Sequence, residues 1–382
     1  MAEQRIPFVK VSIDDSDVAA VAAVLRSGWL TTASQVKALE GELAAYTGAR
    51  FVNAVNSATA AMHLALAAWG IGPGDEVITT PYTFSATGTV IVHCGATPVF
   101  VDVRESDANI DPQAIERAIT PRTKVILPVH IAGEPCDMDA INAIASQHKV
   151  KVLEDAAHAI GSFYKGHPIG SVSDAAAFSF YANKTMTTGE GGALATDDEE
   201  LSDRVRMLTL HGMTRDAWNR YDAGGSWRYD IREFGFKDNL TDIAAALGRT
   251  QLGRLESFIE ERTRVAQRYF ANLRDEEHLS LPAFSEENRQ PWHLFMIRVR
   301  ESAPVERDDV IRELAERGIG TSVHFIPLHY FTAYKNLGRW QEGDFPVAER
   351  FFAGEISLPM YPEMTNDEVD EVCQALREIL HP

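Results

Sequence analysis

From about residue 50 to residue 200 the chain alternates short apolar runs with segments rich in helix formers. EVITTPYTF, TPVFVDV, TKVILPVH and KVKVLED are apolar runs bounded by Pro, Gly or Asp, the pattern of short strands. SATAAMHLALAAWG opens on Ser57 and stops at Gly70, which predicts a helix between them. NIDPQAIERAI carries an Asp111 cap and Pro112 at the first helical position, and DMDAINAIASQH predicts a further helix. Strands alternating with helices imply a mainly parallel sheet covered on both faces. In such a sheet the ligand site lies outside the carboxyl ends of the strands.

From about residue 240 the pattern changes. LTDIAAALGRTQLGRLESFIEERTRVAQRYFANL predicts a long helix with a break near Gly253. WHLFMIRVR then reads as a strand, RDDVIRELAERGIG as a helix with a glycine stop, and NDEVDEVCQALREIL as a final helix after TSVHFIP. The expected organisation is a large domain over residues 1–245 and a smaller α+β domain over residues 246–382. No internal repeat or low-complexity tract interrupts it.

Composition narrows the class of function. With 382 residues the core is large enough to need neither disulfides nor structural metal. Cys94, Cys136 and Cys373 are far apart and form no CxxC pair, which suits a reducing compartment. MAEQRIPFVK lacks the apolar core of a signal peptide, and no later run approaches a membrane span, so a cytoplasmic protein is expected. The formal net charge of −19 argues against sequence-independent nucleic-acid binding. An anionic ligand would need locally concentrated positive charge. The reservoir is Arg204, Arg206, Arg215, Arg220, Arg228, Arg232 and Lys237, although each also reads as a solvated surface residue.

Four pieces are consistent with an aromatic aldehyde phosphate as ligand. Ser57, Ala58 and Thr59 stand at a helix start, where free N–H groups and the helix dipole favour a phosphate; an ordinary Ser cap fits equally. Asp155 ends an apolar strand, and a buried carboxylate there needs a cation such as a protonated pyridine nitrogen; it also reads as a helix cap. His158, three positions on, is a candidate ring contact or a core histidine. Lys184 lies between a strand-like run holding Ser179 and the turn TTGEGG, where desolvation would lower its pKa toward the nucleophilic state. Tyr82 or Phe84 could stack on a ring, or simply pack the core.

EDAAHAIGSFYKG, FSFYANKTMTTGEGG, NSATAAMHLAL, KDNLTDIAAALGRTQL and ISLPMYPEMT, in this order except that NSATAAMHLAL comes first, resemble the pyridoxal-phosphate (PLP)-dependent sugar-nucleotide aminotransferases of the DegT/StrS type. The likeness runs from about residue 5 to 380 and is greatest toward the UDP-4-amino-4-deoxy-L-arabinose aminotransferase branch. It implies an α/β, aspartate-aminotransferase-like large domain of PLP fold type I with a mainly parallel sheet, a smaller α+β C-terminal domain, and a homodimer with shared active sites. By the same resemblance Lys184 would be the Schiff-base lysine, and Asp155 the partner of the pyridine nitrogen. His158 would lie beside the phenolic oxygen, where many relatives have Gln, and Phe84 would stack on the ring. The phosphate would meet Ala58 and Thr59 next to Ser57, the Ser179 hydroxyl, and Asn239 of the second subunit. His324 and His329 in HFIPLH match a segment on the sugar-nucleotide side, as Arg228 would; without a carboxylate cluster the histidine pair suggests no metal site.

The implied reaction is transamination from L-glutamate to a keto-sugar nucleotide, at carbon 4. Retention of Lys184 argues against the few family members that have His there and remove a hydroxyl. Amination at carbon 3, an aminated-carbocycle synthase and a non-catalytic PLP-binding regulator are alternatives on the same scaffold. A dinucleotide enzyme is disfavoured by the missing GxGxxG.

Overall fold

A computed structural model describes residues 5–213 and 229–381. Two helices precede the first strand, α1 (Asp15–Ser27) and α2 (Ser34–Thr47). Helix α1 buries only Asp17 and Val24 and leaves Val18 and Leu25 exposed, so no continuous apolar stripe announces it in the sequence. The alternating stretch then forms β1 (Phe51–Val55), α3 (Ala58–Ala68), β2 (Glu76–Thr79), α4 (Ser85–His93) and β3 (Thr97–Phe100). It continues through α5 (Pro112–Ala118), β4 (Thr123–Ile126), α6 (Met138–His148) and β5 (Lys151–Asp155). The short hairpin β6 (Phe163–Tyr164) and β7 (His167–Pro168) precedes β8 (Ala175–Ser179), β9 (Gly192–Thr196) and α7 (Glu199–Leu208). Capping follows the sequence: Ser57 Oγ accepts the Ala60 N–H at 3.0 Å, and Asp111 accepts the Gln113 N–H at 2.9 Å.

Seven strands form one sheet in the order β1-β9-β8-β5-β4-β2-β3. The pairs from β8 through β5, β4 and β2 to β3 are parallel, whereas β9 is antiparallel to both its neighbours. Alternate strand residues enter two apolar clusters, one on each face. Ile78, Ile126, Val152 and Ala176 join one; Val77, Val125, Leu153 and Ala175 join the other. Because β9 runs backwards, its first residue, Gly192, pairs with Val55 and Ser179, the last residues of β1 and β8. Strand β9 therefore begins at the edge where the parallel strands end.

The long C-terminal helical segment is broken where expected, into α8 (Asp242–Gly253) and α9 (Leu255–Leu273). Then come β10 (Leu279–Ser280), β11 (Phe295–Val299), α10 (Arg307–Glu316), α11 (Thr332–Lys335), α12 (Pro346–Gly354), β12 (Glu355–Leu358) and α13 (Asn366–Leu380). Strands β10, β11 and β12 make a separate antiparallel sheet. TSVHFIP forms no strand of its own, and Ser322 makes an isolated bridge to Ser357 in β12. Ile6 bridges Ile319 and is buried in the C-terminal cluster, so the start of the chain packs with its end. Among the described residues no helix is long and apolar enough to cross a membrane.

Candidate active site

A cavity of about 500 Å³ opens at the carboxyl ends of the parallel strands. Its lining includes Ser57, Ala58 and Thr59 after β1, Phe84 after β2, Asp155 and His158 at the end of β5, and Ser179 and Lys184 at the end of β8. These are eight of the residues singled out in the sequence, and they converge because each ends or follows a strand that ends at the same edge.

Asp155 is the last residue of β5 and is 5% exposed. Its Oδ2 accepts the Thr87 hydroxyl at 2.7 Å, and its Oδ1 accepts the Ala157 N–H at 3.2 Å. No cationic side chain among the described residues lies within ion-pair distance of this carboxylate. Burial pushes its pKa up, against the opposing pull of these two donors and of Lys184. Lys184 sits in the turn after β8, its N–H bonded to Tyr181 O at 3.0 Å. Its side chain keeps some exposure because it faces the cavity, yet protein surrounds the amine closely. Burial draws its pKa down to about 8, and Asp155 limits the fall.

The candidate anion cradle is built from backbone. Helix α3 begins at Ala58, so its first N–H groups are free of intrahelical partners. Gly192 lies against the same turn: a Cβ there would come within 2.4 Å of the Ser57 carbonyl carbon and 2.5 Å of Ala58 N. Only glycine lets β9 start so close to the cradle. Ser179 Oγ, also on the cavity, accepts the Tyr181 N–H at 3.3 Å.

Of the two candidate aromatics, Tyr82 is fully buried and donates to His324 O at 2.7 Å. Phe84 is 62% exposed on the cavity rim, with its ring 6.2 Å from Phe325. Residues not anticipated from the sequence complete the wall. His293 Nε2 lies 3.5 Å from Lys184 Nζ, its ring is 4.4 Å from that of His158, and Phe325 stacks on His158 at 5.8 Å. A histidine at a strand entrance reads as a core residue, so spacing gives no reason to choose His293. The buried Arg262 guanidinium holds this segment by donating to the carbonyls of Trp292, His293 and Met360. Burial, then the nearby Lys184, keeps His158 and His293 far below the usual imidazole pKa. The same causes take His324 down to about 4.

Three sequence candidates lie elsewhere. His324 lines the cavity, but His329 does not: its ring is buried, with Nε2 2.9 Å from Glu349 Oε1. The two histidines therefore do not converge on a common point, and His329 reads as a packed structural residue. Asn239 is outside the lining of its own chain's cavity and donates to Thr32 Oγ1 at 2.7 Å. Arg228, with Arg215 and Arg220, lies outside the described residues. Arg204 and Arg206 are already paired with Glu233 and Glu40.

The residues present suit the pyridine aldehyde phosphate implied by the resemblance. A backbone cradle excludes any side chain at Gly192. A buried carboxylate waits without a cationic partner among the described residues. Three polar atoms on the cavity, His158 Nδ1, His293 Nδ1 and Asn183 Oδ1, are buried without a hydrogen-bond partner.

Comparison with known proteins agrees with this geometry. The chain is 49% identical over 385 residues to the spore coat polysaccharide biosynthesis protein SpsC of Bacillus subtilis, covering 100% of this chain and 99% of the relative. The putative sugar aminotransferase Spr1654 from Streptococcus pneumoniae, in its PMP-form, superposes with a TM-score of 0.93 at 38% identity, covering 98% and 99% of the two chains. PseC of Helicobacter pylori, an aminotransferase involved in the biosynthesis of pseudoaminic acid, superposes at 0.91 with 28% identity, covering 98% and 99%. Residues 11–377 match the DegT/DnrJ/EryC1/StrS aminotransferase family, and the chain belongs to it as a PLP-dependent sugar aminotransferase.

Proposed function

We propose that the chain moves an amino group from L-glutamate to a keto-sugar nucleotide, at carbon 4 of the sugar, releasing 2-oxoglutarate and an amino-sugar nucleotide. The observation that carries this reading is one amine, Lys184, drawn toward neutrality at the floor of a cavity it shares with Asp155. The role of SpsC in spore coat polysaccharide biosynthesis and of PseC in pseudoaminic acid biosynthesis supports a sugar substrate for this chain too.

When bound, PLP supplies an electron sink beside the carbon that loses or gains a proton. Lys184 is the amine that would hold the cofactor's aldehyde. The same amine, when free, would take up the proton that the donor's α-carbon loses and give it back. Its pKa near 8 lets it do both around neutral pH. The imidazoles of His158, His293 and His324 stay neutral, so they do not compete with it for that proton. Asp155 would pair with the protonated ring nitrogen, and that cation reverses the upward push of burial on the carboxyl. The Ala58 and Thr59 amides beside Ser57, with the Ser179 hydroxyl, would hold the phosphate. Phe84 would cover one ring face, and His158 would stand beside the ring substituent.

The same reading makes the enzyme a cytoplasmic homodimer, in which Asn239 serves the cavity of the second subunit. Its absence from its own cavity supports that, and three free thiols suit a reducing compartment. It also divides the chain into a cofactor-holding part, residues 1–245, and a substrate-covering part, residues 246–382, to which the first described residues add Ile6. The test is turnover with PLP, L-glutamate and a panel of keto-sugar nucleotides, read as 2-oxoglutarate and aminated product. A 4-keto sugar nucleotide should be preferred. Preference for a 3-keto sugar, or for no nucleotide at all, would reject the assignment.

A further inference from the structure

The wall behind His324 is a closed polar relay. His324 Nδ1 lies 2.8 Å from Ser357 Oγ, and Ser357 Oγ lies 2.6 Å from Glu355 Oε1. The other carboxyl oxygen of Glu355 accepts the His324 backbone N–H at 2.7 Å. Glu355 and Ser357 are fully buried and stand two residues apart on one face of β12. The guanidinium nearest by contact, that of Arg307, donates to the carbonyls of Phe352 and Glu355. His324 also lines the cavity, so this relay connects the cavity with a buried carboxyl group.

A serine hydroxyl has one proton to give, and this ties the three residues together. When Glu355 is ionised it can only accept. Ser357 then donates to it and accepts from His324 Nδ1–H, leaving Nε2 as a bare acceptor. When a proton enters at Nε2, the Nδ1 proton passes to Ser357 and the serine proton passes to Glu355. One proton has been taken up, His324 is neutral before and after, and Nε2 now carries the N–H. We propose that the proton on Glu355, relayed through Ser357, decides whether His324 offers the substrate a hydrogen-bond donor or an acceptor. This rests on the reading of the cavity as the sugar site. In the donor state the matching ligand group is an acceptor oxygen of the sugar substrate, whether carbonyl, hydroxyl or phosphate.

Electrostatics place the proton at the far end of the relay. Burial pushes Glu355 up to about 8, against Ser357, the His324 N–H and Arg307, while His324 falls to about 4. The donor state therefore prevails at neutral pH. The other titratable groups nearby are Tyr82, bonded to His324 O; Arg298, paired with Glu105; and Asp107 and Glu134, which share a small void with Arg298 and Glu355. Lys184, His158 and His293 face His324 from the cavity side, the two imidazoles kept neutral by burial.

The relay is tested without cofactor or substrate. The apo chain, labelled with ¹⁵N-histidine and assigned by loss of one signal in His324→Asn, reports its ring tautomer through long-range ¹H–¹⁵N correlations. At about pH 6 His324 should be the Nε2–H form, and at about pH 10 the Nδ1–H form. Glu355→Gln, whose amide donates to Ser357 at every pH, should keep Nε2–H throughout, although Lys184 still titrates in it. Ser357→Ala should uncouple the tautomer from pH. A wild-type ring that keeps one tautomer, or a Glu355→Gln ring that switches like wild type, overturns the relay. With substrate, wild-type KM should rise about tenfold across the same range, one hydrogen bond's worth, while that of Glu355→Gln stays level. A level wild-type KM beside a switching tautomer overturns the substrate contact, and continued turnover would leave the aminotransferase reading intact.

Discussion

The floor and the wall of the cavity are built by opposite means. The floor comes from one stretch of chain, in which Asp155 and Ser179 end strands of the large sheet and Ser57 and Lys184 follow them. It sets an amine opposite a carboxylate, each pushed toward its neutral form by burial and each pulled back toward charge by the other. The wall comes largely from the C-terminal part, through His293, His324 and Phe325, backed by Ser357 and Glu355. It is polar but held uncharged, because each of its titratable groups is displaced toward its neutral form. The floor is suited to move protons and bonds. The wall is suited to read the hydrogen-bonding pattern of what lies against it.

Substitutions should separate the two. The largest effect falls on the floor: Lys184→Ala should reduce turnover at least about a thousandfold, as loss of both anchor and proton carrier requires. Steady-state rates with saturating PLP measure this, and a loss of only a few-fold would break the division. Asp155→Asn should retain the cofactor yet lose about a hundredfold in kcat. Because Asp155 raises the Lys184 pKa, its removal should also move the amine's titration below about 8. The pH dependence of amine modification in the apo chain follows that shift, and movement toward higher pH would contradict it.

Gly192→Ala should act on binding rather than chemistry, since the new methyl meets backbone atoms of the cradle. The expected change is a PLP affinity weaker by about ten- to a hundredfold, with kcat nearly preserved at saturation. An unaltered Kd would mean that the phosphate is held elsewhere. The smallest effect concerns the wall and is a slope in stability. Glu355 keeps its proton up to about pH 8 in the folded chain, against an ordinary carboxyl value of 4.5. Its stabilising contribution is therefore complete below about pH 4.5 and is lost as pH rises toward 8. Denaturant midpoints of wild type should fall relative to Glu355→Gln over that interval, and parallel curves would contradict a neutral Glu355.

The same contrast governs how much could be read from the sequence. Strands buried on both faces become short apolar runs, and the turns after them are marked by Pro, Gly, Asp and Ser. The floor residues sit at the strand ends or in those turns, so Asp155 and Lys184 stand out once the alternation is recognised. The reversal of β9 left no mark, because an antiparallel strand buried on both faces reads like a parallel one. Helix α1 was missed because its apolar residues are partly exposed. The wall depends on contacts between distant segments: His293 touches Lys184, and His324 reaches Ser357 and Glu355, only after the two parts pack. His329 shows the converse, since a histidine next to a functional segment in sequence turned inward to Glu349.

The central claim is that Lys184 is the amine that holds the cofactor. The most direct measurement is borohydride treatment of the chain with bound PLP, followed by peptide mapping by mass spectrometry. The account predicts a single reduced pyridoxyl label on Lys184, and none in a parallel sample first converted with L-glutamate. A label on another lysine, or a labelled Lys184 that glutamate fails to protect, would contradict it.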